Sequence, residues 1–124
     1  MTERGRVVAV GHVGIAVRDL DSLAAFYRDV LGLRLGVHHP GVVAIFEVGD
    51  TDMFLLPGEP TKLEFDLASD DVDALRAQLV AKGVACAPAR DEKRSGHRSF
   101  ALTDPEGNVV NVVSAHPRTV SQPV

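Results

Sequence analysis

The sequence predicts an α+β fold of two paired βαβββ modules, and three observations carry the prediction. Leu20-Asp21-Ser22-Leu23 opens an amphipathic segment that closes at Gly32, and Val72-Asp73-Ala74-Leu75 opens a second that closes at Gly83. The two segments are offset by about fifty residues, a period long enough for a whole supersecondary unit. Each follows a strand-like run, Val7–Val17 and Lys62–Leu67, and precedes further strand-like runs. Two copies are too few for a solenoid, and each leaves a sheet face it cannot bury alone, so pairing is expected to create a shared concavity where function would sit. Module one falls at residues 6–57, module two at 61–114, and a loose tail at 115–124.

Arg6 to Val17 is nearly continuous apolar sequence rich in β-branched residues, which predicts a strand buried on both faces. Val13, Ile15 and Val17 make a bulky face suited to packing under a helix, while His12, Gly14 and Ala16 make a face of small residues around one imidazole. Asp19 is placed to cap the first helix, along which Leu20, Leu23, Tyr27, Val30 and Leu31 recur at helical spacing until Gly32. That stripe reads as core. Leu33–His38, Val42–Val48 and Thr51–Leu56, separated by His39-Pro40-Gly41 and Gly49-Asp50, predict a three-stranded meander, and Pro57-Gly58-Glu59-Pro60 marks the junction of the halves.

The second half opens on clean alternation, with Leu63, Phe65 and Leu67 on one face and Lys62, Glu64 and Asp66 on the other. A cap at Ser69 or Asp70 would start the second helix, with Val72, Leu75, Leu79 and Val80 turned inward and Lys82-Gly83 ending it. Val84–Ala89 is expected to be a strand. His97–Thr103 and Asn108–Ser114 follow as a hairpin, and Asp104-Pro105-Glu106-Gly107 suits a type I turn with glycine at the left-handed position.

A chain of 124 residues, 45% hydrophobic and 24% charged, is long enough to bury one core without staples. No apolar run approaches the roughly 18 residues needed to cross a membrane, and Met1-Thr2-Glu3-Arg4-Gly5-Arg6 has no secretory apolar region, so a cytoplasmic location is expected. Cys86 is the one cysteine, which excludes an internal disulfide and a thiolate cluster. The net charge of −4 argues against a nucleic-acid partner. The basic residues are scattered except for Arg90, Lys93, Arg94 and Arg98, and that group contains Asp91 and Glu92, so it reads as a solvated loop.

Gly11-His12-Val13-Gly14-Ile15-Ala16-Val17-Arg18-Asp19-Leu20, the following Ala25-Phe26-Tyr27-Arg28-Asp29-Val30-Leu31-Gly32-Leu33, and Thr103-Asp104-Pro105-Glu106-Gly107-Asn108 together resemble the vicinal oxygen chelate superfamily, also called the glyoxalase, bleomycin resistance protein and extradiol dioxygenase superfamily. The resemblance covers roughly residues 7–114. It implies a cup-shaped mixed sheet of eight strands with helices outside, commonly in homodimers. It does not settle function, because the scaffold hosts several chemistries.

In metal-dependent members, the resemblance implies, divalent first-row ions sit in the cup on His, Glu or Gln from the first and last strands of each module. His12 matches the first such position. Phe54 stands where a carboxylate or amide is usual, Lys62 where His is usual, and Asn111 where Glu is usual. Phe has no lone pair to give, a protonated lysine repels a cation, and an amide oxygen is a weak neutral ligand. One imidazole falls short of the three or four donors a tight site needs, so no metal cofactor is favoured. The alternative is a displaced divalent-metal site built from His12, Glu64 and His97, with Glu47 nearby on its hairpin.

Each of these residues also has a plainer reading. A histidine in an apolar strand is more often a satisfied core or cavity residue than a catalytic one. Lys62, Glu64 and Asp66 would make an ordinary solvated face, or Lys62 a counter-ion for an anionic ligand or for Glu64. Phe54 serves either as a stacking wall for a planar ligand or as core. His97 and Arg98 would orient a ligand at the cup mouth or lie at an exposed loop edge. Asn111, flanked by Val109 and Val113, needs partners if buried: His12, a ligand or backbone.

No nucleophile elbow, phosphate loop or dinucleotide fingerprint occurs. The expectation is therefore a homodimeric protein that binds a small organic ligand through His12, Phe54, Lys62, Glu64 and Asn111, without the usual metal, as antibiotic-sequestering members of the superfamily do. The alternatives are a metal-dependent lyase, isomerase or dioxygenase with displaced ligands, in which Glu64 would move a proton, and an accessory dimerisation module.

Overall fold

Two four-stranded mixed sheets, each with one helix, build the chain. The computed structural model describes residues 5–6, 12–60, 63–93 and 96–115. The first part of the predicted opening strand, residues 7–11, and the predicted tail from 116 onward lie outside the described residues, as does Lys62. The chain divides into two units, residues 1–61 and 62–124.

In the first unit β1 (His12–Val17) leads to α1 (Leu20–Ala25), followed by β2 (Arg34–His39), β3 (Val43–Val48) and β4 (Thr51–Pro57) in the order β1-β4-β3-β2. β1 and β4 run parallel, with His12 opposite Asp52, Gly14 opposite Phe54 and Ala16 opposite Leu56. Asp19 caps α1 as expected, its carboxylate accepting from Ser22 N at 3.2 Å. The helical stripe does not remain regular. Phe26–Val30 forms a π turn closed by Leu31 N donating to Phe26 O at 3.1 Å, and the left-handed Gly32, at φ +75°, releases the chain into β2.

Leu20, Leu23, Ala24 and Tyr27 from the helical segment, Ile15 and Val17 from β1, and Ala44, Phe46 and Leu55 from the meander form the core of this unit. Each large apolar side chain so buried contributes about 1.5–3 kcal/mol. Val13 departs from the expected bulky face: it is 37% exposed, at the end of β1 remote from the turn into α1. A polar clasp ties the β2–β3 turn to α1, where Asp21 Oδ1 lies 2.9 Å from His38 Nε2 and accepts from Gly41 N at 3.1 Å.

These two hydrogen bonds, led by that to His38, hold the Asp21 carboxyl below its ordinary value of 3.8. A carboxyl lowered on folding stabilises the native state above its unfolded pKa, and the contribution is lost as pH falls through the lowered one. Asp21→Asn is therefore expected to unfold more easily than the parent above about pH 4 and to converge with it in stronger acid, which urea midpoints measured across pH will show.

The second unit repeats the plan with β5 (Glu64–Ser69), α2 (Val72–Ala81), β6 (Arg90–Asp91), β7 (Arg98–Thr103) and β8 (Val109–Ser114), ordered β5-β8-β7-β6. Its core is Val72 and Leu79 of α2 against Phe100, Leu102, Val110 and Val112. Three local expectations are corrected here. The cap of α2 is Asp71, accepting from Ala74 N at 3.0 Å, because β5 continues through Ser69, whose hydroxyl instead accepts from Asp71 N.

Val80 is 47% exposed and not turned inward, while Arg76, one turn before it, donates from Nε to Ala87 O at 2.8 Å and from Nη2 to Cys86 O at 3.2 Å. Val84–Ala89 is not a strand: apart from one bridge between Cys86 and Leu102, the segment is held by that guanidinium, and Pro88 has no N–H for a ladder. The short strand comes later, at Arg90–Asp91.

The Asp104-Pro105-Glu106-Gly107 turn forms as expected, with Gly107 N donating to Asp104 O at 3.0 Å and Gly107 at φ +87°. Asp104 and Asn108 at its ends are the buried polar residues of the chain's described part.

Candidate functional site

Each sheet buries one face under its helix and leaves the other open, and alternation along the strands decides which side chains reach the open face. In the first unit that face carries His12 and Phe54. Their rings stack with centroids 4.6 Å apart and planes 11° from parallel, an offset geometry favoured by ring quadrupoles.

The register explains the meeting, since Phe54 sits beside Gly14 and reaches one pleat diagonally to His12. Gly14 is not what clears the space, because a Cβ there would meet only Leu56 Cδ1, at an ordinary 3.8 Å. His12 remains exposed and Phe54 half-buried. Around them, Ile45 lies beside Phe54 across β3, and Leu56 is 42% exposed. The result is a flat aromatic pair bordered by aliphatic side chains.

Asp52, directly across from His12 on the same face, escaped the sequence reading. Its signal was its spacing two residues before Phe54, but the parallel pairing of β1 with β4 is needed to place it beside the imidazole. Glu47 is the next residue in that row, opposite Asp52. Its carboxylate turns toward β2, 3.9 Å from Arg34, and fills the space where a Cβ at Gly36 would come within 2.9 Å of Oε2.

The open face of the second unit holds Glu64, Asp66 and Asn111. Asp66 and Asn111 are register partners on β5 and β8, and Asn111 Nδ2 donates to Asp66 Oδ1 at 3.2 Å, a partner not anticipated for that amide. They line a cleft of about 600 Å³ together with Glu92, His97 and Ser99. Ala87 and Pro88, also missed in the sequence, form part of its wall and were hidden by the expectation of a strand there.

His97 Nδ1 donates to the carbonyl of Ser114 at 2.7 Å, which fixes its ring against the end of β8. Arg98 points elsewhere. Its guanidinium grips Asp73 of α2 through two bonds of 2.8 and 3.0 Å and Asp91 at 3.2 Å, so it fastens helix to sheet. That pairing pushes the Arg98 pKa up and lowers that of Asp73. Cys86 is half-buried, and burial raises its thiol pKa, which suits packing better than nucleophilic chemistry.

The donor set does not fit the metal centre that the resemblance implies. The imidazole of His12 lies flat against a phenyl ring in the place of a carboxylate or amide, and the Asn111 amide is engaged by Asp66. Among the described residues, no group of three or more His, Cys, Asp or Glu is disposed to hold an ion.

These modules and their motifs place the chain in a family. Residues 9–112 match the model of the Glyoxalase/Bleomycin resistance protein/Dioxygenase superfamily, and the chain belongs to it. It is 30% identical over 123 aligned positions to the uncharacterized protein PA2024 of Pseudomonas aeruginosa, an alignment covering 86% of this chain and 88% of that one.

Among solved structures it is similar to TnmS3, an antibiotic binding protein from Streptomyces sp. CB03234, at 26% identity and a TM-score of 0.80, covering 91% of this chain and all of the other. It is similar also to a lactoylglutathione lyase from Agrobacterium tumefaciens, at 25% identity and a TM-score of 0.77, covering 89% and 96%. No helix among the described residues is long and apolar enough to cross a membrane.

Proposed function

We propose that this protein binds a small organic ligand on the open faces of its sheets and does so without the metal ion used by enzymes of its superfamily. The observation that carries the reading is the stacked His12–Phe54 pair: where a metal site would want lone pairs aimed at one point, the chain presents ring faces. Phe54 and the aliphatic residues beside it supply contact area, and His12, Glu64 and Asn111 supply orientation, with Lys62 added from the sequence reading. The likeness to an antibiotic binding protein supports the same reading. We further infer a cytoplasmic homodimer as its setting, in keeping with the lone cysteine.

The likeness to a lactoylglutathione lyase favours the second reading, a metal-dependent enzyme with displaced ligands. Elemental analysis of protein purified without chelators separates the two. Substoichiometric traces of nickel, zinc, iron and manganese, unchanged in His12→Ala, are the expected result. A stoichiometric transition metal lost in that variant overturns the binding proposal.

A further inference from the structure

We propose that the cleft on the open face of the second unit takes a small organic ammonium ion, an amine carried on an apolar body; the inference rests on the ligand-binding reading above and names the class of ligand. The cleft is a concavity of about 600 Å³, a size suited to a small molecule, and its walls are of two kinds. Ala87, Pro88, Ala101 and Val113 offer apolar surface, and Pro88 brings no backbone donor. On the same sheet face as Ala101 and Val113 stand Glu64 and Asp66, alternate residues of β5 whose side chains rise together.

The hydrogen-bond census of the cleft gives the ligand its sign. Arg90 is the cationic side chain among the described lining residues, and its Nε donates to Glu92 at 3.2 Å, so these two opposite charges answer each other. Glu64 and Asp66 are left without a cation among the described residues. The Asn111 amide gives one N–H to Asp66, which leaves Oδ1 and a second N–H to face the cavity.

The groups facing the cavity from β5 and β8 are thus mostly acceptors: two carboxylates and an amide oxygen against one amide N–H. A guest carrying hydrogen-bond donors and a positive charge satisfies them, whereas an anion placed against β5 meets the repulsion of two carboxylates.

Titration with phenethylamine, 2-phenylethanol and 3-phenylpropionate, which share an apolar body and differ in charge, tests the assignment. Calorimetry gives affinities, and amide shifts at Ala87, Ala101, Asn111 and Val113 locate the binding. The amine is expected to bind most tightly, to weaken about fivefold in Glu64→Gln, the weight of one part-exposed ion pair, and to weaken further in Glu64→Gln combined with Asp66→Asn. The alcohol should be indifferent to both changes, and added salt should weaken the amine alone.

If the alcohol binds as tightly as the amine, the charge assignment falls while the ligand-binding reading stands. If the propionate binds best and Lys62→Ala abolishes its binding, the cleft is cation-lined and the proposal is overturned. If none of the three binds, the assignment of the cleft falls, and a binding reading that rests on the stacked rings is judged separately with planar probes.

Discussion

Asn108→Ala is expected to lower the free energy of unfolding by about 2–4 kcal/mol, a large share of the 5–15 kcal/mol that holds a small domain together. Asn108 is fully buried, and each polar atom of its side chain has a dedicated partner. Its Nδ2 donates to Asp104 Oδ2 at 2.7 Å, and its Oδ1 accepts from Leu63 N at 2.8 Å. Asp104 in turn accepts at Oδ1 from the backbone N–H groups of Glu106 and Asn108, at 2.9 and 3.0 Å.

Truncation deprives the Leu63 amide of its acceptor and Asp104 of a donor at one stroke, at a site closed to water. The register between β5 and β8 begins there, since Val109 N donates to Leu63 O at 2.8 Å, so the loss falls on the pairing that builds the open face. Urea unfolding should show a lower midpoint with an unchanged slope.

Asn108→Asp keeps the volume but turns the donor 2.7 Å from Asp104 Oδ2 into an acceptor. Its stability is expected to fall at neutral pH and recover on acidification, when a proton between the two carboxylates restores a donor. Asn111→Ala, removing a half-buried amide from the open face, should cost under about 1 kcal/mol and serves as the comparison. An Asn108→Ala midpoint equal to that of Asn111→Ala would refute the account.

The contrast between those two asparagines shows what the sequence can and cannot carry. Both sit in or beside the last strand, and the sequence reading singled out Asn111 because an amide between valines is conspicuous. Asn108 stands in the sequence only as the end of a motif and the first residue of a strand, yet it is the one sealed from solvent.

Periodicity reports which face of a strand a residue takes, and it located the two modules, the open faces and the Glu64–Asp66 pair. It does not report register. The His12–Asp52 pairing and the Asn111–Asp66 bond follow from parallel partners brought together across an intervening helix and hairpin, and no local pattern encodes them. The 84–89 segment failed for a different reason: an apolar run of strand length was held by Arg76, a side chain eight or more residues upstream.

The stacked rings lead to the largest functional effect expected of a single change. Phe54→Ala should weaken the binding of a planar neutral probe such as 2-naphthol about tenfold or more, because removing a phenyl wall sacrifices both apolar area and the stacking preference that goes with it. His12→Ala should weaken it less, since the imidazole adds the smaller ring of the pair. Phe54→Leu, which retains area and loses the flat face, should fall between the parent and Phe54→Ala.

Phe54 is half-buried on the open face and lies outside the core, so the alanine variant is expected to fold, and circular dichroism with urea unfolding will verify that it does. The order of the three variants separates area from ring geometry. If Phe54→Ala binds 2-naphthol as the parent does, the ring pair is a packing feature of the sheet and the first unit's open face is not where a planar ligand rests. If Phe54→Leu and Phe54→Ala are equally weak, the flat ring face supplies the affinity, and planarity becomes the property by which this protein selects what it binds.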